Sequence, residues 1–335
     1  MNCAAPSRLS LRIEAENWPL RTPFRITGYT VTDLDALVVT LDDGTHRGRG
    51  EAAGVYYHDD DPPRMAAQIE AVRGQIEAGL DRDALARLLP RGGARNAVDC
   101  ALWDLEARRS GRPAWALAGL EPPRPLLTTY TLGADAPEVM AAGARAFVGA
   151  RALKLKLTGE AADIERVRAV RAARPDVWIG VDANQGFTPA TLTRLMPALV
   201  ESGVGLLEQP FPLDRDIWLD GLCSPIPVAA DESVQGLDDI AGLVGRADVI
   251  NIKLDKCGGL TEGLAMAREA RRLGLGVMVG NMLGTALAMA PAFVLGQLCD
   301  IVDLDGPIPL ASDRDPPTVY EDGRVWCAPE IWGAA

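Results

Sequence analysis

The sequence predicts an α/β protein: a modified (β/α)8 TIM barrel preceded by an N-terminal α+β unit. Three observations point there. Eight short apolar runs recur from Leu127 onward, separated by Ala-rich amphipathic stretches. Most runs are apolar on both faces, as strands of a parallel sheet covered by helices must be. Polar residues stand at the ends of successive runs about one βα unit apart, which gathers them at one mouth of a barrel.

The elements follow in chain order. Residues 8–52 read as strands, with Leu34–Leu41 running into the turn signal Asp42-Asp43-Gly44 and returning through Thr45–Glu51. Leu20–Tyr29, punctuated by Pro and Gly, reads as a loop. So does Ala52–Pro63, which holds Tyr56, Tyr57, His58 and the acidic run Asp59–Asp61. Met65, Ile69, Val72 and Ile76 recur at helical steps. Ala97–Arg109 reads as a second helix, stopped by Gly111 and Pro113. The barrel runs are Leu127–Leu132, Ala152–Leu157, Val177–Val181, Val204–Leu207, Ile226–Ala230, Val249–Leu254, Gly276–Val279 and Ile301–Leu304. The tail from Pro316 carries one more turn signal, Asp322-Gly323, and is expected to pack back on the N-terminal unit.

Composition narrows the function. With 335 residues, 48% apolar, the chain can bury a large core. Its formal charge of −12 argues against broad binding of nucleic acid or of anionic membrane surfaces. The stretch Gly284–Leu298 is the longest apolar one, but Pro291 interrupts it and it is short for a bilayer. Six scattered cysteines include no CxxC pair, and no signal peptide is visible, so a cytoplasmic location is expected. Only two histidines occur, His46 and His58, both early. Acid–base chemistry in the barrel must therefore rest on Lys, Asp, Glu, Tyr or Cys.

Asp182, Glu208 and Asp231 end the third, fourth and fifth runs, spaced by 26 and 23 residues. Three carboxylates on adjacent strands, without His or Cys, form a hard oxygen site suited to Mg²⁺. The alternative, that each acid merely caps the next helix, does not require one residue class on three neighbouring strands.

Lys154 and Lys156 lie at i and i+2 on the second run and share a face, with Leu153, Leu155 and Leu157 on the other. Two buried ammonium groups lower each other's pKa, from near 10.4 toward the ~7–8 useful in a general base, at a cost of about 4 kcal/mol. Lys253 ends the sixth run, opposite the second in a ring of eight. Lys156 and Lys253 would then face one ligand carbon from opposite sides, as a 1,1-proton transfer requires, while the metal stabilises the enediolate between the two steps. Asp255 and Lys256 either share in this role or pair with each other.

KLK at Lys154–Lys156, VDAN around Asp182, LEQP around Glu208, ADES around Asp231 and NIKLDKCGGL around Lys253 together resemble the enolase superfamily, muconate-lactonising subgroup. The likeness extends to WPLRTPF near the start and to ARNAVDCALWDLEAR at Ala94–Arg108. It implies a capping domain over residues 1–120, a barrel of seven complete units and a lone final strand over 121–315, and a segment 316–335 returning to the cap. It also implies Mg²⁺ held by Asp182, Glu208 and Asp231, acid/base roles for Lys156 and Lys253, and Lys154 tuning its neighbour and touching the substrate carboxylate. Mandelate-racemase-like members use a barrel histidine, which is absent here.

Asp303-x-Asp305 on the eighth run resembles the DxD of dipeptide epimerases, whose paired carboxylates hold a free α-ammonium. Side chains at i and i+2 share a face, so the pair can grip one cation. The resemblance thus implies an isomerase acting on an L-Ala-Xaa dipeptide, L-Ala-D/L-Glu or a related one, through two lysines and a metal-stabilised enediolate. A lyase or cycloisomerase of the same superfamily, o-succinylbenzoate synthase or muconate cycloisomerase, is the alternative, and it has no need of Asp303 and Asp305. Relatives acting on Ala-Glu carry an arginine just after TPF. Here Arg25 is the available cation, while Gly28 or Tyr29 holds the expected position, so Arg25 and Tyr29 are the candidate contacts to the second residue. The preferred dipeptide, the enantiomer each lysine serves, the state of oligomerisation and the roles of Tyr56, Tyr57 and His58 stay open.

Overall fold

The structure, a computed structural model, describes residues 8–26 and 29–335, with the side chains of residues 24–29 outside the description. Three antiparallel strands, β1 (Ser10–Ile26), β2 (Tyr29–Asp42) and β3 (Arg47–Ala52), form the N-terminal sheet. The helix Gly93–Ser110 lies across it and ends at Gly111, whose φ of +60° is the left-handed stop glycine provides.

Of the expected loop over Leu20–Tyr29, the described residues Leu20–Ile26 and Tyr29 instead continue β1 and β2. The register shifts between Pro19 and Phe24, where Pro19 and Pro23 lack the N–H that a regular ladder needs. The extended arm also pairs with the far end of the chain: Leu20 bridges Leu310, Arg21 N–H donates to Pro309 O, and Ala311 N–H donates to Pro19 O. That partner lies nearly three hundred residues away, so local punctuation could not reveal it. The periodic run from Met65 to Ile76 is also broken, into helices Pro62–Ala71 and Arg73–Glu77 with Val72 between them. A further helix, Arg82–Leu88, is capped by the Asp81 carboxylate accepting from Ala84 N–H.

After a short strand β4 (Leu126–Leu127), eight parallel strands follow in order: β5 (Thr129–Leu132), β6 (Ala152–Lys156), β7 (Trp178–Asp182), β8 (Val204–Glu208), β9 (Val228–Ala230), β10 (Val249–Lys253), β11 (Gly276–Gly280) and β12 (Ile301–Val302). Each coincides with one of the eight apolar runs. Only short 3₁₀ segments, Leu213–Leu219 and Leu237–Leu243, follow β8 and β9 in place of full helices. β5 and β12 are joined through side chains: Leu304 N–H donates to Thr128 Oγ1 at 2.9 Å, and Thr131 N–H to Asp305 Oδ2 at 2.7 Å. Strands β13 (Val319–Glu321) and β14 (Arg324–Trp326) form a small sheet with β4. The chain then passes to the helix Gly93–Ser110, where Trp332 Nε1 donates to Cys100 O and Gly333 N–H to Asp104 Oδ1.

Two layers fill the barrel interior. Below, Leu206, Ala229, Val249 and Met278 pack together with Trp178 against them. Room for that indole comes from Gly180 and Gly205, where an added Cβ would collide with it. Above, at the C-terminal strand ends, the inward positions are charged. The apolar helix Ala286–Gly296 is buried except at half-buried Ala288, and no helix of the described residues is long and apolar enough to cross a membrane.

Gly48 and Gly50 on β3 let the helix Gly93–Ser110 press directly on the sheet; a Cβ at Gly50 would strike the Ala97 carbonyl oxygen. Backbone cannot yield as a side chain can. Gly50→Val is therefore expected to destabilise the fold by about 3 kcal/mol, read as a lower urea midpoint. An unchanged midpoint would refute this packing.

Candidate active site

β6 explains how charged groups enter a barrel core. Leu153, Leu155 and Leu157 are fully buried against the outer helices, so Lys154 and Lys156 must point inward. The same alternation directs Trp178, Gly180 and Asp182 inward from β7, and Val249, Asn251 and Lys253 inward from β10.

Asp182, Glu208 and Asp231 converge: one ligand oxygen from each lies within 4.8 Å of the others, and all three residues are buried. None of them caps the helix that follows β7, which Thr188 caps instead. The donor set is all carboxylate, and each acid is oriented by a neighbour. Asn184 N–H donates to Asp182 Oδ1 at 2.8 Å, Asn251 Nδ2 to Glu208 Oε1 at 2.8 Å, and Lys256 Nζ to Asp231 Oδ1 at 2.5 Å. Hard oxygen donors, preoriented and without nitrogen or sulfur, fit a hard divalent cation.

The lysines approach this trio from both ends. Lys156 Nζ donates to Asp182 Oδ2 at 2.6 Å, and Lys253 Nζ to Asp231 Oδ2 at 2.7 Å, from strands four places apart in the eight-strand order. Lys154 lies between, donating to Asp303 Oδ2 and, at 3.4 Å, to Glu208 Oε2.

The sequence argument has the lysine pair lowered by mutual repulsion. The structure alters the balance for Lys154, whose ammonium is set among carboxylates. Burial pushes Lys154 down, but Asp303, Glu208 and Asp182 outweigh it and hold its ammonium well above the ordinary range. Burial likewise opposes Lys253, and Asp231 holds it up. Among the acids, burial and the adjacent Asp182 push the Glu208 carboxyl up to about 8.

Asp303 and Asp305 stand at the seam between β12 and β5. Asp303 accepts from Thr129 Oγ1 and Lys154 Nζ, so one of its tasks is to close the ring. Asp305 Oδ2 accepts from Thr131 N–H, while burial and Asp303 push its carboxyl up to about 6. Both line a cavity of about 1040 Å³ between barrel and N-terminal unit, together with Lys154, Lys156, Asp231 and Lys253. Tyr56 and Tyr57 line it from the N-terminal unit. Beside them, His58 Nε2 pairs with Gln235 Oε1 at 3.1 Å. Arg25 and Tyr29 sit on the β1–β2 arm, paired with Thr30 and Ile26 respectively, and their side chains lie outside the described residues, as Gly28 does altogether.

Sequence reasoning missed several members. Asn251 shares an inward face with Lys253 two residues on, a signal that strand alternation already carried. Asp255 and Lys256 do not pair with each other: Lys256 is committed to Asp231, and Asp255 accepts from Ala53 and Gly54 N–H. Glu232, 2% exposed, accepts from Asn184 Nδ2 at 3.4 Å, and burial together with Asp231 pushes its carboxyl up to about 7.

Comparison with known proteins agrees with this fold. Residues 8–119 match the mandelate racemase/muconate lactonizing enzyme N-terminal domain, and residues 138–330 match the enolase C-terminal domain-like family. The L-Ala-D/L-Glu epimerase of Escherichia coli K12 is 39% identical over 318 residues, covering 94% of this chain and 99% of that protein. An enolase family member from Agrobacterium tumefaciens with homology to dipeptide epimerases, solved with sodium and L-Ala-L-Glu, superposes with a TM-score of 0.94 at 44% identity, covering 97% of this chain and all of that one. The dipeptide epimerase of Methylococcus capsulatus, complexed with Mg and L-Arg-D-Lys, gives a TM-score of 0.88 at 31% identity, covering 96% of this chain and 97% of that one. The chain belongs to the mandelate racemase/muconate lactonizing enzyme family of the enolase-type barrels.

Proposed function

We propose that the protein is a dipeptide epimerase, an isomerase inverting the α-carbon of the C-terminal residue of an L-Ala-Xaa-type dipeptide. The observation that carries the reading is the pair of lysines bonded to the two outer members of a carboxylate trio from strands four places apart. Two amines placed so can address opposite faces of one carbon.

Asp182, Glu208 and Asp231 would hold Mg²⁺, which when bound supplies positive charge for the substrate carboxylate. The Methylococcus relative crystallised with Mg supports that choice of ion. Lys154, beside the trio, offers the same carboxylate a hydrogen bond. Lys156 and Lys253 divide the proton transfer: one, as the free amine, takes the Cα proton, and the other, as ammonium, returns one to the opposite face. Microscopic reversibility exchanges their roles for the other epimer. Asp305, and Asp303 through its remaining acceptor capacity, would take the substrate's α-ammonium; both line the cavity beside the lysines. Arg25 and Tyr29, on the arm above, are proposed to meet the second residue. The acid-lined site suits a small cationic-headed dipeptide better than a nucleic acid, and a cytoplasmic enzyme fits the free cysteines. The lyase or cycloisomerase alternative is not favoured, since the relatives compared above are epimerases or have homology to them.

Lys156→Ala and Lys253→Ala are each expected to lower epimerisation by about 10²–10⁴-fold. Each should keep α-proton exchange in D₂O, read by mass spectrometry, for one substrate epimer only. Full two-way turnover in either variant would refute the two-base scheme. Asp305→Asn keeps an acceptor for Thr131 but loses its charge. Its KM for a free-amine dipeptide should rise about tenfold or more, with little change for the N-acetylated analogue. Equal effects on both would remove Asp305 from amine recognition.

With its carboxyl near 8, Glu208 would have to give up a proton at neutral pH in order to hold a metal ion. The neutral acid dominates below that value, so Mg²⁺ affinity should rise from pH 6 to 8. Calorimetry in buffers of different ionisation enthalpy should register proton release. Pure Mg²⁺ binding without release would contradict this.

A further inference from the structure

The end of β10 serves two directions. Lys253 turns into the barrel mouth, and two residues later Asp255 turns toward the N-terminal unit. Among the described residues, the donors that reach its carboxylate all come from that unit: Ala53 N–H at 3.1 Å and Gly54 N–H at 3.0 Å on one oxygen, and the Asn96 side chain. A second carboxylate makes the reverse connection. Glu51, at the end of β3, accepts from Thr285 N–H at 2.8 Å and from Arg314, both on the barrel side. Glu51 is 2% exposed and Asp255 7%. The segment where β3 ends is thus fastened to the barrel by two buried acids, one offered from each side.

That segment leads into the turn that covers the site. Gly54 has a φ of +75°, and a Cβ there would strike the Asp60 carbonyl oxygen. Asp60 N–H returns to Val55 O at 3.3 Å, and its carboxylate accepts from Gly93 N–H at 2.7 Å. A loop closed so tightly moves as one piece. It carries Tyr56 and Tyr57 to the cavity wall, and Gln235 Nε2 reaches the Tyr57 hydroxyl at 3.4 Å. Whatever fixes Ala53 and Gly54 therefore fixes both rings. A buried carboxylate is costly unless its lone pairs are filled, and here they are filled by the two N–H groups at the start of this turn, so the same bonds that satisfy Asp255 also hold the turn in place.

We propose that Asp255 is a positioning residue: by accepting from Ala53 and Gly54 it sets the height of Tyr56 and Tyr57 over Lys253 and so shapes the space in which the substrate sits. The kinetic part rests on the epimerase reading; the placement itself does not. Asp255→Ala removes the acceptor, whereas Asp255→Asn keeps an oxygen for the two N–H groups. Amide hydrogen exchange over residues 53–61 should be about tenfold faster in Asp255→Ala and close to the parent in Asp255→Asn. With an L-Ala-L-Xaa dipeptide, kcat/KM of the alanine variant should fall about tenfold, most of it in KM, with the asparagine variant within about threefold of the parent. If Asp255→Ala does not fold, Asn96→Ala, which removes one donor, should show the same pattern at smaller size.

Exchange unchanged from the parent would overturn the inference, as would an alanine variant with altered exchange but an unaltered KM. An asparagine variant as impaired as alanine in exchange would do so too. Exchange needs no substrate, so a parent chain inactive on every dipeptide would overturn the activity while the exchange still decided the placement.

Discussion

Everything at the barrel mouth depends on one constraint: charges buried this deeply must neutralise one another. Four ammonium groups, on Lys154, Lys156, Lys253 and Lys256, face four carboxylates, on Asp182, Glu208, Asp231 and Asp303. Isolated, any of them would cost several kcal/mol to bury. Paired, they form a lattice in which Asp231 meets both Lys253 and Lys256, and Asp182 meets both Lys154 and Lys156. Glu208 shows the limit of the balance, since burial and Asp182 together keep its proton near neutral pH. A site poised in this way would accept a divalent cation with loss of that proton.

The rest of the fold supports that lattice. Alternation along each strand sends leucines outward to the helices and charges inward. The apolar layer around Trp178 fills the barrel beneath them. Gly180 and Gly205 are there to accommodate the indole; neither acts on chemistry directly, yet both set the floor on which the charged layer rests. The seam between β12 and β5 shows the same economy. Asp303 helps close the ring while also meeting Lys154, so a residue of the candidate site is also part of the fold.

Above the mouth, the N-terminal unit is a roof fixed at several points. Arm, β3 end and chain terminus each meet residues distant in sequence: Leu20 with Leu310, Glu51 with Thr285 and Arg314, Asp104 with Gly333. Between that roof and the barrel lies the cavity that holds the charged ring.

The sequence by itself determined the barrel and its charged ring. Strand alternation and the recurrence of one βα unit are local and periodic, so the trio, the two lysines and the DxD pair were legible from spacing, alternation and family motifs. What only tertiary structure decided was every relation between residues without a shared period. The stretch from Leu20 reads as a loop in part because Pro19, Leu20 and Arg21 find their partners at Pro309–Ala311. Lys256 and Asp255 look like a pair because they are adjacent, yet one turns to Asp231 and the other to the N-terminal unit. That Lys154 and Lys253 are held up rather than lowered follows, too, from the carboxylates beside each nitrogen in space. Coulombic and hydrogen-bonding partners are fixed by distance through space, and a one-dimensional sequence reports that distance only where secondary structure repeats.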